Sequence, residues 1–183
     1  IMKKYRIAYF TTERNCALML DMFKGFADYI QTHPGVTVCS FDCLGKADFS
    51  AVDQGEYSIF DLPDLSTFDG ILYQGSQIAS REVEEKMVRR MRESGLPVVV
   101  TEEYIEGFSF YGTDNRTALS QVIEHIIVEH QVKSLCFLSG PSASFEARER
   151  KKAYLNLCEK YDIPPFVIPG SWDARDGRAA ARI

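Results

Sequence analysis

The 183-residue sequence lacks any long hydrophobic run, and no stretch approaches the roughly 20 apolar residues that a membrane-spanning helix needs. Met2-Lys3-Lys4 is basic, but the apolar stretch behind it is short and stops at Thr11, which is not the form of a signal peptide. A cytoplasmic location, with no membrane partner, is the expectation. An excess of basic residues is also missing. Lys and Arg number 21 against 26 Asp and Glu, for a net charge of −5, which argues against a nucleic-acid surface within this segment. The five cysteines (Cys16, Cys39, Cys43, Cys136, Cys158) are odd in number and scattered. Cys39-x-x-x-Cys43 has no second pair beside it to complete a zinc site. Three of the five fall on apolar faces of expected elements, where a thiol behaves as a small hydrophobe. Reduced, structural cysteines are expected, and no metal.

Catalytic signatures are absent too. The sequence contains no G-x-S-x-G elbow, no H-E-x-x-H and no P-loop lysine motif. His33, His125 and His130 do not stand at expected strand ends, and His125 is read as a structural residue beside core positions of a helix. An enzyme is not expected, nor a cofactor. There are no internal repeats and no low-complexity tracts.

What is present is an alternation of strands and helices. With 45% hydrophobic residues the chain can bury a core, as one domain or two small lobes. Its most informative stretch runs from Leu96 to Gly140. Val98 to Val100 is an apolar β-branched run, and Phe108 to Tyr111 is a second short strand. A helix opens at Thr113 or Asp114, either of which can cap it. Its apolar positions Ala118, Leu119, Val122, Ile123, Ile126 and Ile127 recur with helical period. Val132 to Leu138 is the next buried strand, broken by Ser139-Gly140-Pro141. Strands alternating with helices at this spacing mean a parallel sheet of βα units, with ligands beyond the carboxyl ends of the strands.

The rest of the chain fits the same plan. Tyr5 to Phe10 is the first strand, leading into a loop from Thr11 to Asn15. The helix behind it places Leu18, Met22, Phe23, Phe26 and Ile30 on one face and stops near His33-Pro34-Gly35. Val36 to Phe41 is a second strand, residues 44–56 an irregular connection, and Ile59 to Leu65 an edge or linker segment. Asp69 to Tyr73 is the third strand. Ser80 to Glu93 follows as a helix with Val83, Met87 and Met91 inward. Phe145 to Tyr161 is a helix with Tyr154, Leu157 and Cys158 inward, Pro164 to Ile168 the last strand, and Asp173 starts another helix.

Gly95-Leu96-Pro97 precedes a strand ending at Glu102, and Thr113-Asp114-Asn115 opens a helix that contains Glu124-His125. Ser139-Gly140-Pro141, the pair Arg148 and Arg150, and Gly170-Ser171-Trp172 leading to Gly177 follow. In the order and spacing of these residues the chain resembles the ligand-binding domain of LacI/GalR-type transcriptional repressors, most clearly from residue 69 onward. The resemblance implies an α/β fold of parallel-sheet, Rossmann-like lobes, the type I periplasmic-binding-protein-like fold. The first lobe would span residues 1–112 and the second 113–183, the latter incomplete because family members continue beyond the equivalent of Ile183.

The resemblance further implies a sensor for a small molecule, sugar-like by family habit, bound between the lobes. Its partners would be a second copy of the chain, and DNA only through a module absent from this chain. Two other readings stay open. One is a sensor placed before a C-terminal output such as a diguanylate cyclase. The other is a solute-binding protein of a transporter, against which the missing signal peptide counts.

Six residues are the expected ligand contacts: Thr12, Gln74, Glu102, Ser144, Arg150 and Trp172. Glu102 closes a strand, and a carboxylate suits a polyol because each oxygen accepts a charge-strengthened hydrogen bond. Its alternative is a solvated acid beside Glu103. Arg148 and Arg150 are two apart on a helix and do not share a face; the resemblance favours Arg150 for the ligand, against a surface ion pair to Glu146 or Glu149. Trp172 can stack on a ring, or pack under a loop. Ser142 and Ser144 precede a helix start, where free N–H groups and the dipole suit an anion, and where capping alone also explains them. Asp114 is open between cap and ligand contact. Thr12 and Gln74, with Thr11, Glu13, Asn15 and Gln77, hold their places by topology only.

Overall fold

The structure, a computed structural model, describes residues 4–12, 17–43, 55–75, 78, 80–142, 144–171 and 174–182. Its backbone divides into two compact units, Ile1–Tyr111 and Gly112–Ile183. Among the described residues, every strand pairing in either unit is parallel.

The first unit is a five-stranded sheet in the order β2-β1-β3-β4-β5. Its strands are β1 (Tyr5–Thr12), β2 (Val36–Cys43), β3 (Gly70–Tyr73), β4 (Val98–Thr101) and β5 (Ser109–Tyr111). β1 lies between β2 and β3, so its carboxyl half is buried on both faces, as a near-continuous apolar run requires. It is longer than the sequence suggests. Thr11 and Thr12 belong to the strand and not to the loop, because β-branched threonines continue the ladder opposite Asp42 and Cys43. β2 likewise runs two residues past Phe41.

Helix α1 (Ala17–Thr32) covers β1 with Met19, Met22, Phe23 and Phe26; Tyr9 meets the Phe26 ring at 5.1 Å between centroids. The opposite face of the sheet holds the main core, where Ala8, Phe10, Tyr73 and Val100 meet Met87 and Met91. Both methionines come from α2 (Arg81–Ser94), whose inward spacing is the expected one. Ser80 caps α2 by accepting from the Val83 N–H at 3.3 Å, and Gly95 ends it in the left-handed conformation at φ 65°.

The segment expected to be an edge or linker is neither. It forms two 3-10 turns, Tyr57–Asp61 and Leu65–Thr67, that bury Tyr57, Phe60 and Leu65. Tyr57 and Phe60 are three apart, which in a three-residue turn puts them on one side. The Arg90 guanidinium donates to the Phe60 and Pro63 carbonyls, and Lys86 pairs with Asp61 at 2.6 Å.

The second unit contains α3 (Asn115–His130), β6 (Cys136–Leu138), α4 (Phe145–Lys160), β7 (Phe166–Ile168) and α5 (Ala174–Ala180), with β6 and β7 paired. Tyr154, Leu157 and Cys158 are buried as expected, beside Ile123, Ile127 and Ile163. Two expectations fail. β6 spans three residues and not the seven from Val132, and it is not buried: Cys136 is exposed and Leu138 is 39% exposed. Among the described residues β6 pairs with one strand, which starts at Phe166 because Pro164 and Pro165 have no N–H for a ladder.

The apolar face of α3 is also narrower than its sequence. Leu119, Ile123 and Ile127 form one row turned to the core, while Ala118 and Val122 belong to the neighbouring row and are exposed. His125 is exposed with His130, ring edge to ring at 5.2 Å, and so does not sit in the core. Of the cysteines, Cys43 and Cys158 are buried, Cys39 half-buried and Cys136 exposed; Cys16 lies outside the described residues.

Candidate functional site

The carboxyl ends of β1, β3 and β4 meet at one edge of the first unit. The register pairs Phe10 with Tyr73 and Tyr73 with Val100, so Thr12, Gln74, Thr101 and Glu102 all emerge at that edge. Three buried hydroxyls there, Thr12 Oγ1, Tyr73 Oη and Thr101 Oγ1, have no hydrogen-bond partner among the described residues. A buried hydroxyl without a partner costs about 1–3 kcal/mol, so three at one sheet edge call for an explanation. Burial, followed by the nearby charges of Glu84 and Glu103, pushes the Tyr73 phenol well above its ordinary value. It therefore stays protonated and can donate.

Glu102 departs from ordinary strand geometry, with φ at 59°. Gln131 and Asp162 also have positive φ, but they stand at the carboxyl ends of α3 and α4, where the left-handed conformation is a normal stop. At a strand end, for a residue with a Cβ, it is strained by about 1–2 kcal/mol. The Glu102 N–H donates to the Tyr111 carbonyl at 3.2 Å, which ties the strained residue to the edge strand β5. No sequence signal marks this turn, since glutamate has no preference for it.

The other expected contacts of this unit are more internal. Gln74 is 1% exposed; its Oε1 accepts from Tyr9 Oη at 2.5 Å and Thr11 Oγ1 at 3.2 Å, while its Nε2 lies 3.2 Å from Met22 Sδ. Its side chain ties β3 to β1 and α1 under the strand ends. Thr12 is 1% exposed at the tip of β1. Glu13, Asn15 and Gln77 lie outside the described residues.

In the second unit, Ser144 caps α4 by accepting from the Ala147 N–H at 3.3 Å, the bland role its position predicts. Asp114 caps α3 through the Thr117 N–H at 2.9 Å, and that backbone hydrogen bond holds its carboxyl below the ordinary range. Arg148 and Arg150 diverge, as residues two apart must. Arg148 donates to the Ser142 carbonyl at 3.3 Å, whereas Arg150 Nε donates to Asn115 Oδ1 at 2.7 Å. The ion pair anticipated for Arg150 exists, to Glu146 at 3.7 Å. Trp172 lies outside the described residues. No group of three or more His, Cys, Asp and Glu side chains among the described residues could hold a metal ion, and none of their helices is long and apolar enough to cross a membrane.

No family model matches the sequence, and no curated protein does. Solved structures do. A sugar-binding LacI-family transcriptional regulator from Enterococcus faecalis matches over 99% of this chain and 61% of its own, with 20% identity and a TM-score of 0.65. The transcription regulator CcpA of Lactococcus lactis matches over 98% and 64%, with 17% identity and a TM-score of 0.72. A periplasmic ribose ABC transporter structure from Conexibacter woesei matches over 98% and 59%, with 13% identity and a TM-score of 0.75. The chain has the type I periplasmic-binding-protein-like fold. It spans about three-fifths of the length of these structures, so the second lobe of that fold is incomplete here. In open parallel sheets of this kind, ligands sit beyond the carboxyl ends of the strands, where Glu102 and the three hydroxyls are found.

Proposed function

We propose that this chain is a sugar-sensing domain whose first unit engages its ligand through the sheet edge at Thr12 and Glu102. The observation that carries the reading is the left-handed Glu102 at that edge, beside buried hydroxyls that lack partners among the described residues. Backbone strain persists where the surroundings hold it and a function uses it. A carboxylate accepts from sugar hydroxyls, and threonine and protonated tyrosine hydroxyls can donate to them. In the second unit, Arg150, Ser144 and Trp172 are the proposed contacts, while Gln74 holds the strand ends in place. Solved structures of similar fold described as sugar-binding, or holding bound allitol, support a polyhydroxy ligand.

In this reading the domain is not an enzyme. Ligand shifts an equilibrium by its differential affinity for two states, and an attached output reads the shift. The regulator form of the reading adds a homodimer and a DNA-binding module outside this chain. Similarity to ABC transporter solute-binding proteins supports a second form, capture of a sugar for uptake.

The test is a thermal-shift screen of the full chain against D-ribose, D-xylulose, allitol, nucleosides and amino acids. A ligand bound only by the native state raises the melting temperature by mass action. A shift with at least one polyol, reduced at least tenfold in affinity by Glu102→Ala, is the expected result. Shifts confined to nucleosides or amino acids, or an unchanged affinity in Glu102→Ala, would overturn the assignment.

A further inference from the structure

The second unit holds a side-chain cluster built around Asn115, the first residue of α3, which is 9% exposed. Its amide is fully engaged. Oδ1 accepts from Arg150 Nε at 2.7 Å; Nδ2 donates to Glu146 Oε1 at 3.2 Å and to the Thr113 carbonyl at 3.2 Å. Only one orientation of the amide satisfies all three, because a guanidinium only donates while a carboxylate and a carbonyl only accept. Glu146 Oε2 closes the ring of contacts, 3.7 Å from Arg150 Nη2.

This arrangement acts on Arg150 in two ways. A long arginine side chain loses much rotamer freedom when it grips a ligand, and a partner that orders it beforehand removes that loss. Asn115 does so at the Nε position. The cluster also sets the local charge. Glu146 stands in the first turn of α4, at the helix end that attracts anions, and its carboxylate compensates the Arg150 guanidinium. Arg148, which could have doubled the positive charge, is drawn to the Ser142 carbonyl and the Phe145 ring. A hydroxyl can accept from the guanidinium and donate to the carboxylate, so it fits a mixed pair. A phosphate only accepts, and it meets the Glu146 charge.

We infer that Asn115 is the positioning residue for Arg150, and that Asn115 and Glu146 together tune this part of the site for uncharged, hydroxyl-bearing ligands over phosphorylated ones. The inference rests on the sugar-sensing reading above and goes on to choose between two classes of sugar.

Calorimetric titration of the full chain with D-ribose, D-xylulose, allitol and D-ribose 5-phosphate tests it, with Asn115→Ala and Glu146→Gln beside the wild type and thermal unfolding of each. Asp114 supplies the cap of α3, so alanine at the next position leaves the helix intact. The wild type is expected to bind at least one uncharged compound more tightly than the phosphate ester. Asn115→Ala should weaken that binding about tenfold, the loss of one charge-assisted hydrogen bond's positioning, with unfolding still cooperative at a melting temperature a few degrees lower, since the partners of its amide are left unpaired. Glu146→Gln should narrow or reverse the preference between ribose and its phosphate, a ratio that a merely structural role would not move. Wild-type affinity in Asn115→Ala, or an unmoved ratio in Glu146→Gln, overturns the inference while the sugar reading stands. Absence of wild-type binding to all three uncharged compounds overturns both. If Asn115→Ala does not fold, the ratio in Glu146→Gln decides.

Discussion

The two units use the same parallel βα chemistry with unequal numbers of strands, and their interiors differ accordingly. In the first, five strands bury Ala8, Phe10, Tyr73 and Val100 completely. In the second, two strands of three residues leave Phe166 51% and Val122 55% exposed. The amphipathic pattern of α3 has an apolar face wider than a two-stranded sheet can cover. A helix's hydrophobic stripe thus records how many neighbours it is written for, and the sheet present decides how much of it is buried.

Emptying each core tests this difference with the largest effect. Phe10 stacks on Phe41 at 5.2 Å and meets Phe60 edge-on at 5.8 Å. Phe10→Ala should cost about 3–5 kcal/mol in urea denaturation, and Phe137→Ala in the half-buried face of β6 about half as much. Equal losses would mean that the two cores are equivalent after all.

A smaller effect isolates the second unit. Tyr154 Oη donates to the Leu135 carbonyl at 2.9 Å and accepts from the Phe166 N–H at 2.8 Å, joining α4 to both strands. Tyr154→Phe leaves those backbone groups without their partner and should cost about 1–3 kcal/mol. Hydrogen exchange should show the Phe166 amide deprotected and the β1 amides unchanged; uniform loss of protection would show that the units unfold together.

Glu102→Gly tests strain in the first unit. Glycine accepts φ near 59° without a Cβ clash, so stability should rise by about 1 kcal/mol while sugar affinity falls. A stability loss would show that Glu102 is held by favourable contacts and not against strain.

The smallest effect is on pH. The Lys160 ammonium, then the Tyr161 hydroxyl, hold the Glu124 carboxyl below its ordinary 4.5, and Glu124 holds Lys160 above its ordinary 10.5. A lowered acid stabilises above its ordinary value, and a raised base stabilises below its own. The bridge between α3 and α4 is therefore complete between those limits and fades as pH falls below 4.5 or climbs past 10.5. The groups are exposed, so the change is slight. Lys160→Met should flatten the acid limb of second-unit melting, and an unaltered acid limb would remove this bridge from the account.

Much of the local structure is legible in the residues. The Val83, Met87 and Met91 spacing and the caps at Asp114 and Ser144 are short-range facts of helix chemistry, and each stands where the sequence puts it. Of the candidate site, the strand-end position of Glu102 and the divergence of Arg148 from Arg150 could be read in advance. The left-handed turn at Glu102 could not, because glutamate gives no sign of it. Asn115 stood in view within Thr113-Asp114-Asn115, yet its bond to Arg150 joins residues 35 apart in sequence, and no periodicity reports such a pair.

The alternation of strand and helix can be read from the residues in order, and with it a parallel sheet whose strand ends form the candidate site. Those follow from spacing, capping and backbone donors, all set within a few residues. Which apolar rows are covered, which strand-end hydroxyls lack partners among the described residues, and which arginine Asn115 holds are set by packing. Burial and pairing depend on neighbours brought together from distant parts of the chain.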